Sequence, residues 1–186
     1  MKNVVIISGH PDLKNSVANK TILEEIEKLL PEVEIRKLDE LYSDCNFDVK
    51  AEQAALEKAD IIIFQYPLHW SNMPGILKLY IDKVMEHGWA YGSKGTALKD
   101  KIFIASITMG VVDSAYSASG MMKHTISEFN SNLEGFAITC KLDYKKLFSM
   151  GGAMCIPGVT TDEQKNALIE KCKKQAESIV EYLKTL

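Results

Sequence analysis

The chain has 186 residues, 46% hydrophobic and 25% charged, values ordinary for a soluble globular protein the size of one domain. Its net charge of −3 implies no basic face for nucleic acid, and no stretch approaches the ~20 apolar residues that a membrane helix needs. The four cysteines, Cys45, Cys140, Cys155 and Cys172, form no C-x-x-C pair and stand at no metal-ligand spacing with histidine, so reduced thiols in a cytoplasmic protein, without a metal, are expected.

Val4 to Ile7 reads as a buried strand, too short an apolar run for a signal peptide. Ser16 to Leu30 reads as a helix closed by Pro31, and Val33 to Lys37 as a short strand. Lys50 to Lys58 is a further helix. The β-branched run Ile61 to Phe64 reads as a fully buried strand that stops at Pro67, and Pro74 bars a helix from starting before that point. The next helix, Gly75 to His87, carries Ile76, Leu79 and Val84, with Tyr80 and Met85, on its inner side. Lys101 to Ile107 is a fourth strand, Gly120 to Leu133 a helix and Phe136 to Cys140 a fifth strand. Thr161 opens a last helix reaching Leu183, with Asp162 and Glu163 in the first turn, where the helix dipole favours negative charge. Lys171, Lys173 and Lys174 lie on it among Glu and Gln and read as a solvated face.

Strand and helix thus alternate, and the strands are continuous apolar runs rather than alternating ones. That pattern marks a parallel sheet covered on both faces. Five strands suit an α/β three-layer sandwich of flavodoxin-like order, 2-1-3-4-5, whose switch point lies between strands 1 and 3. No repeat, low-complexity segment or linker divides the chain, so residues 1–186 read as one domain. Two loops, Gly88 to Asp100 and Met109 to Ser119, are longer than ordinary connections, and such loops are usually functional.

Loops leaving strands 1, 3 and 4 converge on the switch point. The first runs from Ser8 through His10 to Asn19 and ends at a helix N-terminus, whose unpaired N–H groups attract anions. Ser16 can cap that helix or donate to a phosphate, and His10 adds a donor. Neither G-x-G-x-x-G nor G-x-x-x-x-G-K-[ST] is present, which counts against a Rossmann dinucleotide domain and an NTPase. The second loop, Leu68-His69-Trp70-Ser71-Asn72, puts an imidazole, an indole and free N–H groups where a flat, polar-edged ligand binds; the bland alternative is a core tryptophan in an ordinary connection. In the third, Thr108 to Tyr116, Gly110 allows close backbone approach and Tyr116 offers a hydroxyl.

These residues match a family. The segments G-H-P (from Gly9), S-V-A-N (from Ser16), Y-P-L-H-W (from Tyr66), P-G-I-L-K-L-Y-I-D-K-V (from Pro74), H-G-W-A-Y-G (from His87), G-T-A-L-K-D-K (from Gly95) and T-M-G (from Thr108) with Tyr116 resemble the NAD(P)H:quinone oxidoreductase family of flavodoxin-like fold. Within it the chain looks most like short flavoproteins related to the quinone reductase partner of bacterial potassium-efflux systems. The resemblance spans nearly the whole chain, is most specific from Pro67 to Lys101, and loosens after Ala115.

The resemblance implies a cofactor site. His10, Ser16, Val17, Ala18 and Asn19 would hold the flavin phosphate and ribityl chain, Pro67, Leu68, His69, Trp70 and Ser71 would line the isoalloxazine, and Thr108, Met109, Gly110 and Val111 would close its pyrimidine side. The family's usual T-T-G-G is here Thr108-Met109-Gly110-Val111. Tyr116 can fill the tyrosine role near the hydride acceptor, with His69 the other candidate catalytic side chain; at the position of the family's histidine stands Met122, and His124 is two residues off. The implied activity is two-electron, ping-pong reduction of quinone-like acceptors by NAD(P)H. FMN is expected rather than FAD, because FAD-using relatives carry extra C-terminal chain. The alternatives are a flavin-bearing regulatory subunit docked on a membrane transporter, or a flavodoxin-type electron carrier. A homodimer is expected, with Gly88 to Tyr91 and the helix after Gly75 in its interface, unless Trp89 and Tyr91 fold back on their own domain.

Overall fold

The chain runs β1 (Val4–Ser8), α1 (Ala18–Leu29), β2 (Glu34–Lys37), α2 (Leu38–Leu41), α3 (Val49–Lys58), β3 (Ile61–Pro67), α4 (Gly75–Val84), β4 (Ile102–Thr108), α5 (Ile126–Phe129), α6 (Ser131–Cys140), β5 (Asp143–Met150) and α7 (Asp162–Leu183). The computed structural model describes residues 2–186. All five strands are parallel and lie in the order 2-1-3-4-5, as the alternation of elements implies.

The three central strands are buried along their whole length, and the apolar runs explain why. Every second side chain meets a helical layer on one face and the others meet a layer on the opposite face. The register row Ile7, Phe64 and Ala105 packs with Leu56 of α3, Leu77, Tyr80 and Val84 of α4, and Leu133 and Ala137 of α6. The row Ile6, Ile63 and Ile104 packs with Ile22 and Ile26 of α1 and Cys172, Ala176 and Ile179 of α7. From β1 the chain therefore leaves for the α1/α7 layer, and from β3 for the α4 layer. Their connections part at the β1–β3 boundary and open the crevice that serves ligands in such sheets.

The sequence reading misplaces two elements. Phe136–Cys140 is not a strand: Leu133, Ala137 and Cys140, spaced four and three apart, are the buried stripe of helix α6. The fifth strand is Asp143–Met150. It is a sheet edge, where Lys145 and Lys146 face solvent and its apolar signal is diluted by the charges that guard such edges. Nor is Gly120–Leu133 one helix. Residues 120–125 are turns, and α5 begins only at a capping box made by Thr125 and Glu128.

Helix α4 buries Leu77, Tyr80 and Val84, while Ile76 and Leu79, expected inside, are half-buried. It ends at Val84 rather than His87, whose ring instead meets Tyr91 edge-on at 5.5 Å.

Beneath α4 lies a buried charge. Glu52 of α3 has no exposed surface and accepts from Arg36 Nε at 2.8 Å, from the Tyr42 hydroxyl at 2.6 Å and from the Tyr80 hydroxyl at 3.2 Å. Burial and the facing carboxylate push both phenols up, Tyr80 well above its ordinary range. Removing the cation from such a group strands a charge. Arg36→Ala is expected to cost about 3–5 kcal/mol, whereas an Arg36→Met, Glu52→Leu double variant recovers most of the loss. Urea denaturation of the single and double variants checks this.

Candidate functional site

Three loops meet at the carboxyl ends of β1, β3 and β4. Gly9 opens the first. A Cβ there would lie 2.7 Å from Leu77 Cβ, so α4 can pass over the end of β1 only because the side chain is absent. His10 Nδ1 accepts from the Asp12 N–H at 3.0 Å, which puts the ring's proton on Nε2 and leaves that nitrogen as a donor. Burial is the main cause that lowers the His10 pKa below 6.5, and His69 adds to it, against opposing pulls from Asp39 and Asp12. The two imidazoles sit edge to face at 6.1 Å.

Ser16 does what a cap does: its Oγ accepts from the Asn19 N–H at 3.2 Å, leaving the hydroxyl proton to donate outward. Among the described residues, the N–H groups of Val17, Ala18 and Lys20 find no protein acceptor, and the helix dipole points their positive end the same way. Asn19 turns inward. Its Nδ2 donates to Thr108 Oγ1 at 2.9 Å, and its Oδ1 accepts from Gln65 Nε2 at 2.8 Å.

The second loop is anchored by Leu68, whose N–H donates to the Thr108 carbonyl at 2.8 Å. His69 and Asn72 then exchange main-chain hydrogen bonds of 2.9 and 3.0 Å around Trp70 and Ser71. Those two residues have φ of 48° and 64°, a tight-turn geometry that usually calls for Asn-Gly. Left-handed backbone costs ~1–2 kcal/mol for each non-glycine residue. The Trp70 side chain is 100% exposed, so the core-tryptophan alternative is excluded. Among the described residues, the N–H groups of Trp70 and Ser71 donate to no acceptor, and His69 is exposed beside them.

Along the third loop, Met109 is buried and holds the chain down by main-chain bonds with Met150 and Ala153, at 2.9 and 2.8 Å. Gly110 and Val111 keep unpaired N–H groups, and a Cβ on Gly110 would meet Met154 Cε at 3.0 Å. Tyr116 is half-buried, its ring edge-on to Phe129 at 5.8 Å; His124 lies against the same ring at 5.8 Å, so its two-residue offset does not remove it from this corner. Burial, then Asp113, raises the Tyr116 pKa.

One part of the site was missed from sequence, the loop after β5. Gly151 N–H donates to Asp113 Oδ1 at 2.7 Å, and Lys171 Nζ joins the Gly151 carbonyl at 2.6 Å and Asp113 Oδ2 at 3.3 Å. The pair Gly151-Gly152 was the available signal, hidden by the misplaced strand. Outside the crevice, Trp89 donates to Glu57 of α3 at 2.6 Å, so its indole folds back on its own chain.

Residues 2–179 match the family described as having a flavodoxin-like fold, and the chain belongs to that family. Over 147 residues it is 42% identical to the glutathione-regulated potassium-efflux system ancillary protein KefF of Citrobacter koseri, covering 79% of this chain and 82% of that protein. General stress protein 14 of Treponema denticola, solved in complex with FMN, superposes with a TM-score of 0.86 at 27% identity, covering 98% of both chains. An NADPH-quinone reductase from P. pentosaceus superposes at 0.73 with 26% identity, covering 95% of this chain and 98% of that one.

Three variants check this geometry in the ligand-free protein. Trp70→Ala is expected to leave unfolding free energy within ~0.5 kcal/mol of wild type, because nothing in the core loses a contact. Ser71→Gly is expected to raise it by ~1 kcal/mol as left-handed strain is relieved. The lowered His10 pKa means the unfolded chain binds the proton better, so stability is full above pH 6.5 and declines as pH falls toward the folded-state value. His10→Gln flattens that decline, read from thermal melts across the same window.

Proposed function

We propose that this chain is a flavin-dependent NAD(P)H oxidoreductase that binds FMN and reduces quinones or related acceptors by two electrons. The observation that carries the reading is the set of unpaired N–H groups on three loops at one switch point: Val17, Ala18 and Lys20, then Trp70 and Ser71, then Gly110 and Val111. The first group sits at a helix N-terminus with Ser16 and His10 and suits a phosphate and its ribityl chain. The others lie on the two neighbouring loops and suit the polar edge of an isoalloxazine. Relatives solved with FMN or named as quinone reductases support the assignment.

In this reading Pro67, Leu68, His69, Trp70 and Ser71 line one edge of the ring, and Thr108, Met109, Gly110 and Val111 shape the other. Asn19 acts through the main chain it holds rather than by touching the ligand. When bound, the flavin supplies a ring that takes hydride from the nicotinamide and passes it to the acceptor. The unpaired main-chain donors of Trp70, Ser71, Gly110 and Val111 would stabilise negative charge on a bound ring in the manner of an oxyanion hole. Tyr116 keeps its proton at neutral pH, as a phenol ordinarily does and as its burial further favours, and so can donate to an acceptor oxygen. One ring face serving both partners gives ping-pong kinetics.

A second reading has its own support. The 42% identity to an ancillary protein of a potassium-efflux system favours a further role docked on such a membrane transporter. We also propose a homodimer. Trp89 is not free for it, but Ile81, Met85, Tyr91 and Phe136 line an apolar groove between α4 and α6, with Ile138 78% exposed alongside.

The purified protein is expected to titrate with FMN and lose its visible absorbance on anaerobic addition of NADH or NADPH, then regain it with a quinone. Failure to take up FMN or FAD would sink the enzyme reading. Tyr116→Phe is expected to slow the quinone half-reaction at least ~10-fold, with the NAD(P)H half-reaction changed far less, in stopped-flow traces.

A further inference from the structure

Three polar side chains form one register row across the middle of the sheet: Ser8 of β1 beside Gln65 of β3, and Gln65 beside Ser106 of β4. All three are sealed from solvent, at 0%, 1% and 0% exposure. They share the face of Ile6, Ile63 and Ile104, where α1 and α7 pack and where apolar residues would serve the core better. Among the described residues, Ser8 Oγ, Ser106 Oγ and Gln65 Oε1 have no hydrogen-bond partner. Buried polar atoms without partners destabilise a fold, so the row is kept for something other than packing.

Its one outgoing bond shows what. Gln65 Nε2 donates to Asn19 Oδ1 at 2.8 Å, Asn19 Nδ2 donates to Thr108 Oγ1 at 2.9 Å, and the Asn19 N–H is bound by Ser16 Oγ at 3.2 Å. Asn19 lies between Ala18 and Lys20, two of the residues with free N–H groups, and closely follows the third, Val17. A side chain in the sheet is therefore tied to the first turn of α1 through Asn19.

We propose that Gln65 is a positioning residue for the anion site at the N-terminus of α1: it fixes those N–H groups on the phosphate of the flavin without touching the ligand. The inference rests on the flavin reading above. Its mechanism separates it from a plain stability role, since the free N–H groups of this turn act chiefly on the phosphate, whereas the ring meets the other two loops.

The test uses FMN and riboflavin, which share ring and ribityl chain and differ by the phosphate, titrated into wild type and Gln65→Met by flavin fluorescence quenching. Wild type is expected to prefer FMN. Gln65→Met, which keeps volume and loses the donor, is expected to weaken FMN by about tenfold or more while riboflavin changes by no more than about twofold, collapsing the ratio between them. Gln65→Asn, whose amide is one methylene short of Asn19, gives the same collapse and serves if the Met variant does not fold. Ser106→Ala, which removes a hydroxyl bound to nothing, keeps the wild-type ratio. Equal weakening of both ligands, or no weakening of either, overturns the proposal, as does failure of both Gln65 variants to fold. Wild type that binds neither flavin overturns the flavin reading and this inference with it.

Discussion

Asn19 reaches from the first turn of α1 to two central strands, accepting from Gln65 of β3 and donating to Thr108 of β4. Thr108 also accepts the Leu68 N–H through its carbonyl. One amide and one threonine thus join the beginning of α1, the end of β3 and the end of β4, the origins of the three loops that form the crevice. Loops are ordinarily the mobile parts of a fold. Here their roots are set by buried polar bonds whose loss would leave unpaired groups in a dry interior, a penalty larger than the net gain of an ordinary surface hydrogen bond. The arrangement converts sheet rigidity into loop placement.

Beyond their roots the loops are treated differently. The third is laced to the loop after β5 through Met109, Ala153 and Gly151, and from there to α7 through Asp113 and Lys171. The second is held in a strained turn that displays Trp70 and Ser71 outward. Strain of this kind persists only where surrounding bonds over-determine the backbone, and here the His69–Asn72 pair does so. Two left-handed residues leave two N–H groups without a protein acceptor among the described residues.

How much of this was legible in the sequence follows from which signals are local. Buried parallel strands are runs of Val and Ile, and those runs placed β1, β3, β4 and the sheet order. The long last helix carries its own start signal, Thr161 with Gln164 three residues on, and that start was found. The edge strand β5 was lost because its outward positions hold Asp143, Lys145 and Lys146, while the helix G-F-A-I-T-C before it looks apolar enough for a strand. Around the site, the loop-end residues that the fold brings together could be named from motif and position. The direction in which each points could not. Asn19 and Met109 turn into the protein, and Trp70 turns out of it, because those choices depend on partners distant in sequence: Gln65, Thr108 and Met150.

The same dependence on distant partners decides how the crevice handles negative charge. Arg36 is the chain's single arginine, and it is committed to Glu52 beneath α4, where the Glu52 carboxylate and Glu34 hold it fully charged. No guanidinium is left to clamp a phosphate in bidentate fashion. An anion at the carboxyl edge would therefore depend on main-chain N–H groups and the His10 ring. Main-chain donors carry no mobile side chain to immobilise and are aimed by the helix itself, so their contribution depends on how accurately that helix is set. In a site without an arginine fork, the placement of one helical turn does the work that a longer charged side chain would otherwise do by reaching.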